Sequence, residues 1–239
     1  MNDTILKIEG LTKKYGSKTV LDDVSFEVKK GRIYGFIGEN GAGKTTTIRV
    51  VTGLSPAGKG KVELFGKSDK AGLIEARRKM GCLVERPILD LHMSAKANLK
   101  SQQLLYGNND PEKISNVLER VGLSDVKNKR VKDFSLGMKQ RLGIALALIN
   151  DPELLILDEP VNGLDPVGMV EVRELLHSLC KEDGITIVIS SHILAELYQL
   201  ATDYIIISHG QIISTLTKDK LDDVGTLEDY YMELLGRCA

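Results

Sequence analysis

Eight consecutive residues, Gly38-Glu39-Asn40-Gly41-Ala42-Gly43-Lys44-Thr45, follow the spacing G-x-x-x-x-G-K-[ST] of a loop that wraps a polyphosphate. Glycines at Gly38, Gly41 and Gly43 let backbone N–H groups turn inward around an anion. Lys44 brings a positive charge to the terminal phosphates, and the Thr45 hydroxyl suits Mg²⁺, a hard ion that prefers oxygen. A second set of groups lies at Leu154-Leu155-Ile156-Leu157-Asp158-Glu159, four apolar residues ending in two carboxylates. There Asp158 can serve a Mg²⁺ ion, and Glu159 can polarise an attacking water as a general base. A third candidate is Phe134-Ser135-Leu136-Gly137-Met138. Ser135 caps a helix and Gly137 leaves its backbone bare, so this helix start can also meet phosphate.

These groups need elements to hold them. Ile33 to Ile37 reads as a buried strand entering the glycine loop. Thr45-Thr46-Thr47-Ile48-Arg49-Val50-Val51 reads as the helix leaving it, with its N-terminus toward the anion. Further strand signals occur at Ile5 to Ile8, Val24 to Val28, Lys61 to Leu64, Gly81 to Val84, Leu154 to Leu157, Thr186 to Ser190, Tyr204 to Ser208 and Gln211 to Ser214. Helix-length segments separate many of them, which predicts an α/β fold with a mostly parallel sheet. The first two strands flank the turn Lys14-Tyr15-Gly16-Ser17 and predict an antiparallel edge sheet. From about 86 to 152 the strands stop. Helical patterns take over at Ser94 to Tyr106, Asp110 to Val121 and Gly137 to Ile149, and Asp110-Pro111 is a helix start. The expected organisation is one domain, 1–239. Residues 1–85 and 153–239 form the α/β core with its β edge, and 86–152 an inserted helical subdomain. The stretch from Thr217 to Ala239 reads as a short helical tail.

Composition narrows the classes. The chain has 239 residues, 42% of them hydrophobic, with 32 basic and 33 acidic residues and a net charge of −1. That balance argues against a dedicated nucleic-acid binder. Cys82, Cys180 and Cys238 lie far apart in no disulfide or metal pattern, which suits a reducing cytoplasm. The first residues, Met1-Asn2-Asp3-Thr4-Ile5, show no signal peptide. No run approaches the roughly 20 apolar residues of a membrane span.

Taken in order, the motifs resemble the nucleotide-binding subunits of ABC transporters. The family signature is L-S-G-G-Q, and the chain carries the variant F-S-L-G-M, keeping Ser135 and Gly137. Tyr15 sits where the family stacks an aromatic ring on adenine. Glu159-Pro160-Val161-Asn162-Gly163-Leu164-Asp165 resembles the family's E-P-x-x-G-L-D, whose Asp lies at a dimer interface. Ser190-Ser191-His192 resembles the segment of the switch histidine that meets the γ-phosphate. Where most relatives carry a Gln beside Mg²⁺, this chain has Glu85, a group that only accepts hydrogen bonds when ionised. Glu85, the stretch G-C-L-V-E-R-P and Met93-Ser94-Ala95-Lys96-Ala97-Asn98-Leu99 resemble the ATPase subunits of bacitracin- and lantibiotic-type immunity exporters.

The resemblance implies the P-loop nucleoside triphosphatase core of the ABC ATPase fold, with ATP and Mg²⁺ bound. The implied catalytic residues are Glu159, His192, Lys44 and Glu85. The implied nucleotide set is Tyr15, Gly38, Asn40, Gly41, Gly43, Lys44, Thr45, Thr46, Ser135, Gly137 and Asp165. Thr45, Asp158 and Glu85 are the implied metal ligands. Two such subunits close head to tail, and a separate membrane-spanning subunit takes up the motion, so the chain is expected on the inner face of the cell membrane. The expected function is an ATPase powering export of an antimicrobial peptide or drug. The alternatives are an ABC-type ATPase acting on nucleic acid or ribosomes, a P-loop kinase or GTPase, and a nucleotide-gated binding module. Neither a second cassette nor a heptad run supports the first, and Lys127-Asn128-Lys129-Arg130 does not supply the guanine-reading N-K-x-D.

Overall fold

The computed structural model describes residues 3–223 and 225–238. Met1, Asn2, Ala239 and the Cys238 thiol, all touched on above, lie outside the described residues. The chain opens with a long hairpin, β1 (Thr4–Tyr15) and β2 (Lys18–Lys29), 12 residues each. Both strands outrun the expected ones. The turn is only Gly16-Ser17, and Lys14 and Tyr15 stay in register with Thr19 and Lys18. Their solvent face is charged, which hides the strand from a reading based on apolar runs. Lys7 meets Glu27 across the pair and Glu9 along its own strand, at 3.4 and 2.9 Å. The inner face carries Leu6, Ile8, Leu11, Leu21, Val24 and Val28, all buried.

Next come β3 (Ile33–Ile37), α1 (Lys44–Val51), β4 (Lys59–Leu64), α2 (Lys70–Arg77) and β5 (Met80–Leu83). β5 stops one residue short of Val84, because the backbone turns left-handed at Glu85 with φ 63°. The helical stretch follows as α3 (Ala95–Leu105), α4 (Pro111–Arg120) and α5 (Leu136–Leu148). Each begins where its capping residue predicts. The side chains of Ser94, Asp110 and Ser135 accept from backbone N–H groups of the first turn. The chain returns through β6 (Leu154–Asp158), α6 (Pro166–Lys181), β7 (Thr186–Ser191), α7 (Leu194–Leu200), β8 (Asp203–Ser208), β9 (Gln211–Thr217), α8 (Lys218–Asp222) and α9 (Leu227–Cys238).

Two sheets result. One is antiparallel, ordered β2-β1-β4, and the other has six strands ordered β5-β6-β7-β3-β8-β9. Every neighbouring pair in the larger sheet is parallel except β8 with β9. Strand residues alternate between two cores, as the period-2 geometry demands. Tyr34, Phe36, Leu154, Ile156, Val188 and Ile205 face the smaller sheet, α1 and α2. Ile33, Ile37, Leu155, Leu157, Ile187 and Ile189 face the remaining helices. The apolar residues of α3, α4 and α5 join this second core, so the helical stretch is welded to the sheet. Closest contact is at Gly81 of β5, where an added Cβ would lie 2.2 Å from the Ala147 carbonyl oxygen on α5.

Candidate active site

The central strand β3 ends at Ile37 and delivers the glycine loop to the carboxyl edge of the sheet, where open α/β folds bind ligands. Gly43 is the N-cap of α1, with φ 115° and no side chain to cap the helix. The first-turn N–H groups of α1 therefore keep their donors for an anion. The φ at Gly43 favours glycine, and a Cβ would also crowd Leu21 Cδ2 at 2.6 Å and the Val20 carbonyl at 3.2 Å. Lys44 is buried and folds its ammonium over the loop, donating to the Gly38 and Glu39 carbonyls at 2.6 and 3.2 Å. Burial pushes the Lys44 ammonium below its usual range, while the Glu159 and Asp158 carboxylates pull the other way.

Those carboxylates come from the end of β6. Asp158 is 1% exposed, and its Oδ1 accepts from Ser190 Oγ at 2.5 Å. Glu159 adopts a left-handed backbone, φ 52°, and its N–H donates to both Ser190 O and Ser190 Oγ, at 3.1 and 3.0 Å. Its carboxylate reaches in two directions. Oε2 lies 2.8 Å from His192 Nδ1, and Oε1 lies 3.7 Å from Lys44 Nζ. Glu159, His192 and Lys44 thus form one connected group.

They line one cavity of about 520 Å³. Of the residues read from sequence, it brings together Asn40, Gly41, Gly43, Lys44, Thr45, Thr46, Glu159 and His192. Gly38 contributes its carbonyl from behind. Six others stand apart from the lining, Asp158 because it is buried against Ser190. Tyr15 is 47% exposed at the tip of the hairpin, with Lys13 Nζ 5.1 Å from its ring centroid. Glu85 pairs with Arg49 of α1. Ser135 and Asp165 cap α5 and α6, and Gly137 lies in the first turn of α5. The loop after Glu159 links the two regions, since a Cβ at Gly163 would touch Leu136 at 3.3 Å.

The cavity also includes residues the sequence reading passed over: Lys18, Thr19, Val20, Glu39, Asn162 and His209. Glu39 and Asn162 sit inside segments already singled out and were within reach of that reading. The others come from a strand start and a hairpin turn, which carry no motif. Burial pushes the Tyr231 phenol of α9 up, and the nearby Glu39 carboxylate of the loop adds to that.

Residues 21–162 match the family model described as ABC transporter. The chain is 49% identical over 218 residues to the bacitracin transport ATP-binding protein BcrA of Bacillus licheniformis, covering 91% of this chain and 71% of that protein. It is 45% identical over 209 residues to the lantibiotic transport ATP-binding protein SrtF of Streptococcus pyogenes, covering 87% and 89%. Among solved structures, an ATP-binding subunit of an ABC transporter superposes with TM-score 0.85 at 30% identity, over 97% of this chain and all of that one. The fold is also that of the cassette MJ0796 in its dimeric, ADP- and phosphate-bound form, with TM-score 0.80 over 90% and 99% at 23% identity.

Proposed function

The chain belongs to the ABC transporter family as an ATP-binding, ATP-hydrolysing subunit, and from that premise we propose that it powers export of a bacitracin- or lantibiotic-type peptide through a separate membrane subunit. The observation that carries the catalytic part is the Lys44–Glu159–His192 group at the phosphate loop. The loop N–H groups and Lys44 hold the phosphates of ATP. Glu159 takes a proton from the attacking water, and His192 fixes the orientation of the Glu159 carboxylate. The likeness to BcrA and SrtF supports the peptide cargo.

Mg²⁺ fits the donors present. Among the described residues no cluster of three or more His, Cys, Asp or Glu could hold a metal alone. Mg²⁺ needs only one or two protein oxygens when substrate phosphates supply the rest. The Thr45 hydroxyl and Asp158 carboxylate would hold it, and it would neutralise charge on the phosphate oxygens. Glu85 enters this set by resemblance alone, because its carboxylate faces Arg49.

Ser135, Gly137 and Asp165 serve the nucleotide of a second, head-to-tail subunit, which accounts for their standing apart from the cavity on their own chain. We read 86–152 as the subdomain that meets the membrane partner. A groove of about 310 Å³ runs beside β5, lined by Leu54, Arg86, Pro87, Ile88 and Tyr106, with Ile88 95% exposed. No described helix is long and apolar enough to cross a membrane. As an ABC transporter subunit in this reading, the chain works from the inner face of the cell membrane, through its partner. Tyr15 stacks on the adenine in this reading. Glu159→Gln tests the whole proposal: ATP affinity stays, hydrolysis falls about 10²- to 10⁴-fold, and cells lose protection against the peptide. Unchanged turnover removes Glu159 from the base role.

A further inference from the structure

The strand order gives the ATP cavity two different sides. β6 and β7 lie on one side of β3, and β8 and β9 on the other. Glu159, Asn162 and His192 reach the cavity from the first side, where the chemistry is done. From the second come Lys18 and His209, one at the start of β2 and one in the turn between β8 and β9.

That turn is a two-residue hairpin with φ 47° at His209 and 79° at Gly210, the signs of a type I′ turn. Asn-Gly is the usual choice there. Histidine tolerates the left-handed region, but nothing in the hairpin requires an imidazole. The turn is also fastened on two sides. Gly210 N–H donates to the Ala42 carbonyl of the phosphate loop at 3.0 Å, and Asp22 N–H donates to the Gly210 carbonyl at 2.9 Å. Gln211 Nε2 adds a bond to Asp22 Oδ2 at 2.9 Å. A Cβ on Gly210 would meet the Val20 carbonyl at 2.4 Å, so turn and strand are in direct contact. The backbone that carries His209 is thereby held at a set position relative to the loop, and His209 lines the cavity from the β8–β9 side.

We propose that His209, with Lys18 beside it, forms the nucleoside end of the cavity, where its ring hydrogen-bonds the ribose side of the bound nucleotide. This rests on the reading of the cavity as the ATP site. His209 then governs affinity for the nucleoside part and leaves the rate of phosphate cleavage to the other wall.

The test uses the full chain with Mg²⁺ present and three probes in titration calorimetry: ATP, ADP and inorganic tripolyphosphate. His209→Asn keeps the preferred turn residue, and His209→Gly serves as a second variant. In both, ATP and ADP weaken by the same factor, about five- to tenfold, the size of one lost hydrogen bond. Tripolyphosphate, which has no nucleoside, binds as to the unsubstituted chain. In turnover, KM for ATP rises and kcat is kept. Unaltered ATP affinity overturns the inference. So does an equal loss with tripolyphosphate, which would place the effect in the phosphate loop. Failure of the unsubstituted chain itself to bind ATP would instead overturn the reading of the cavity.

Discussion

The Glu159 backbone N–H is held by one residue. Ser190 accepts that N–H with both carbonyl and hydroxyl oxygens, and its own hydroxyl donates to Asp158 Oδ1. One buried serine therefore holds Glu159 in a left-handed backbone and also satisfies the Asp158 carboxylate. A non-glycine residue in that region costs of order 1–3 kcal/mol and persists only where its surroundings fix it. Ser190→Ala leaves the Asp158 carboxylate short of a donor in a dry environment, at a cost of about 1–3 kcal/mol. Its urea midpoint falls, and hydrolysis slows even though Glu159 remains. An unchanged midpoint would show that the hydroxyl is dispensable. At this scale the motif residues were easy to read, because Gly38 to Thr45 and Asp158-Glu159 are contiguous in sequence. His209 was not legible. It nears the loop only because β8 is the neighbour of β3, and spacing along the chain does not encode that.

Among the elements, β5 and α5 meet at Gly81 with no room for a side chain. Gly81→Ala would drive a methyl to 2.2 Å from a backbone oxygen that cannot swing away. The expected loss is about 1–3 kcal/mol of stability, seen as a lower denaturation midpoint; no change would mean that α5 can slide on the sheet. The helices of the insert were legible to within a residue, since Ser94, Asp110-Pro111 and Ser135 announce their starts. The strands of the first hairpin were harder, because their exposed faces alternate Lys, Glu and Asp with apolar residues. The α/β class and the antiparallel edge sheet read from the sequence are borne out by the two sheets and by the solved relatives.

Over the whole molecule, the cavity and the groove beside β5 lie on different parts of one sheet, with the Arg49–Glu85 pair between them. Arg49 belongs to the helix that begins at the phosphate loop, and Glu85 to the turn that opens onto the groove. Motion at the loop thus has a short route to the surface proposed for the membrane partner. Ile88→Asp places a charge on that surface, outside the lining of the ATP cavity. It keeps ATP affinity unaltered and loses assembly with the membrane subunit, measured by co-purification in detergent. Retained assembly would move the docking surface elsewhere. The topology also has a consequence during synthesis. β3 is complete at residue 37, but its two hydrogen-bonding neighbours start only at Thr186 and Asp203. At about 5–20 residues per second on the ribosome, the strand bearing the phosphate loop waits on the order of ten to thirty seconds for them. Pairings so distant in sequence form slowly even afterwards. The nascent chain therefore carries the loop long before it has a site, and the hairpin of β1 and β2 is its first sheet.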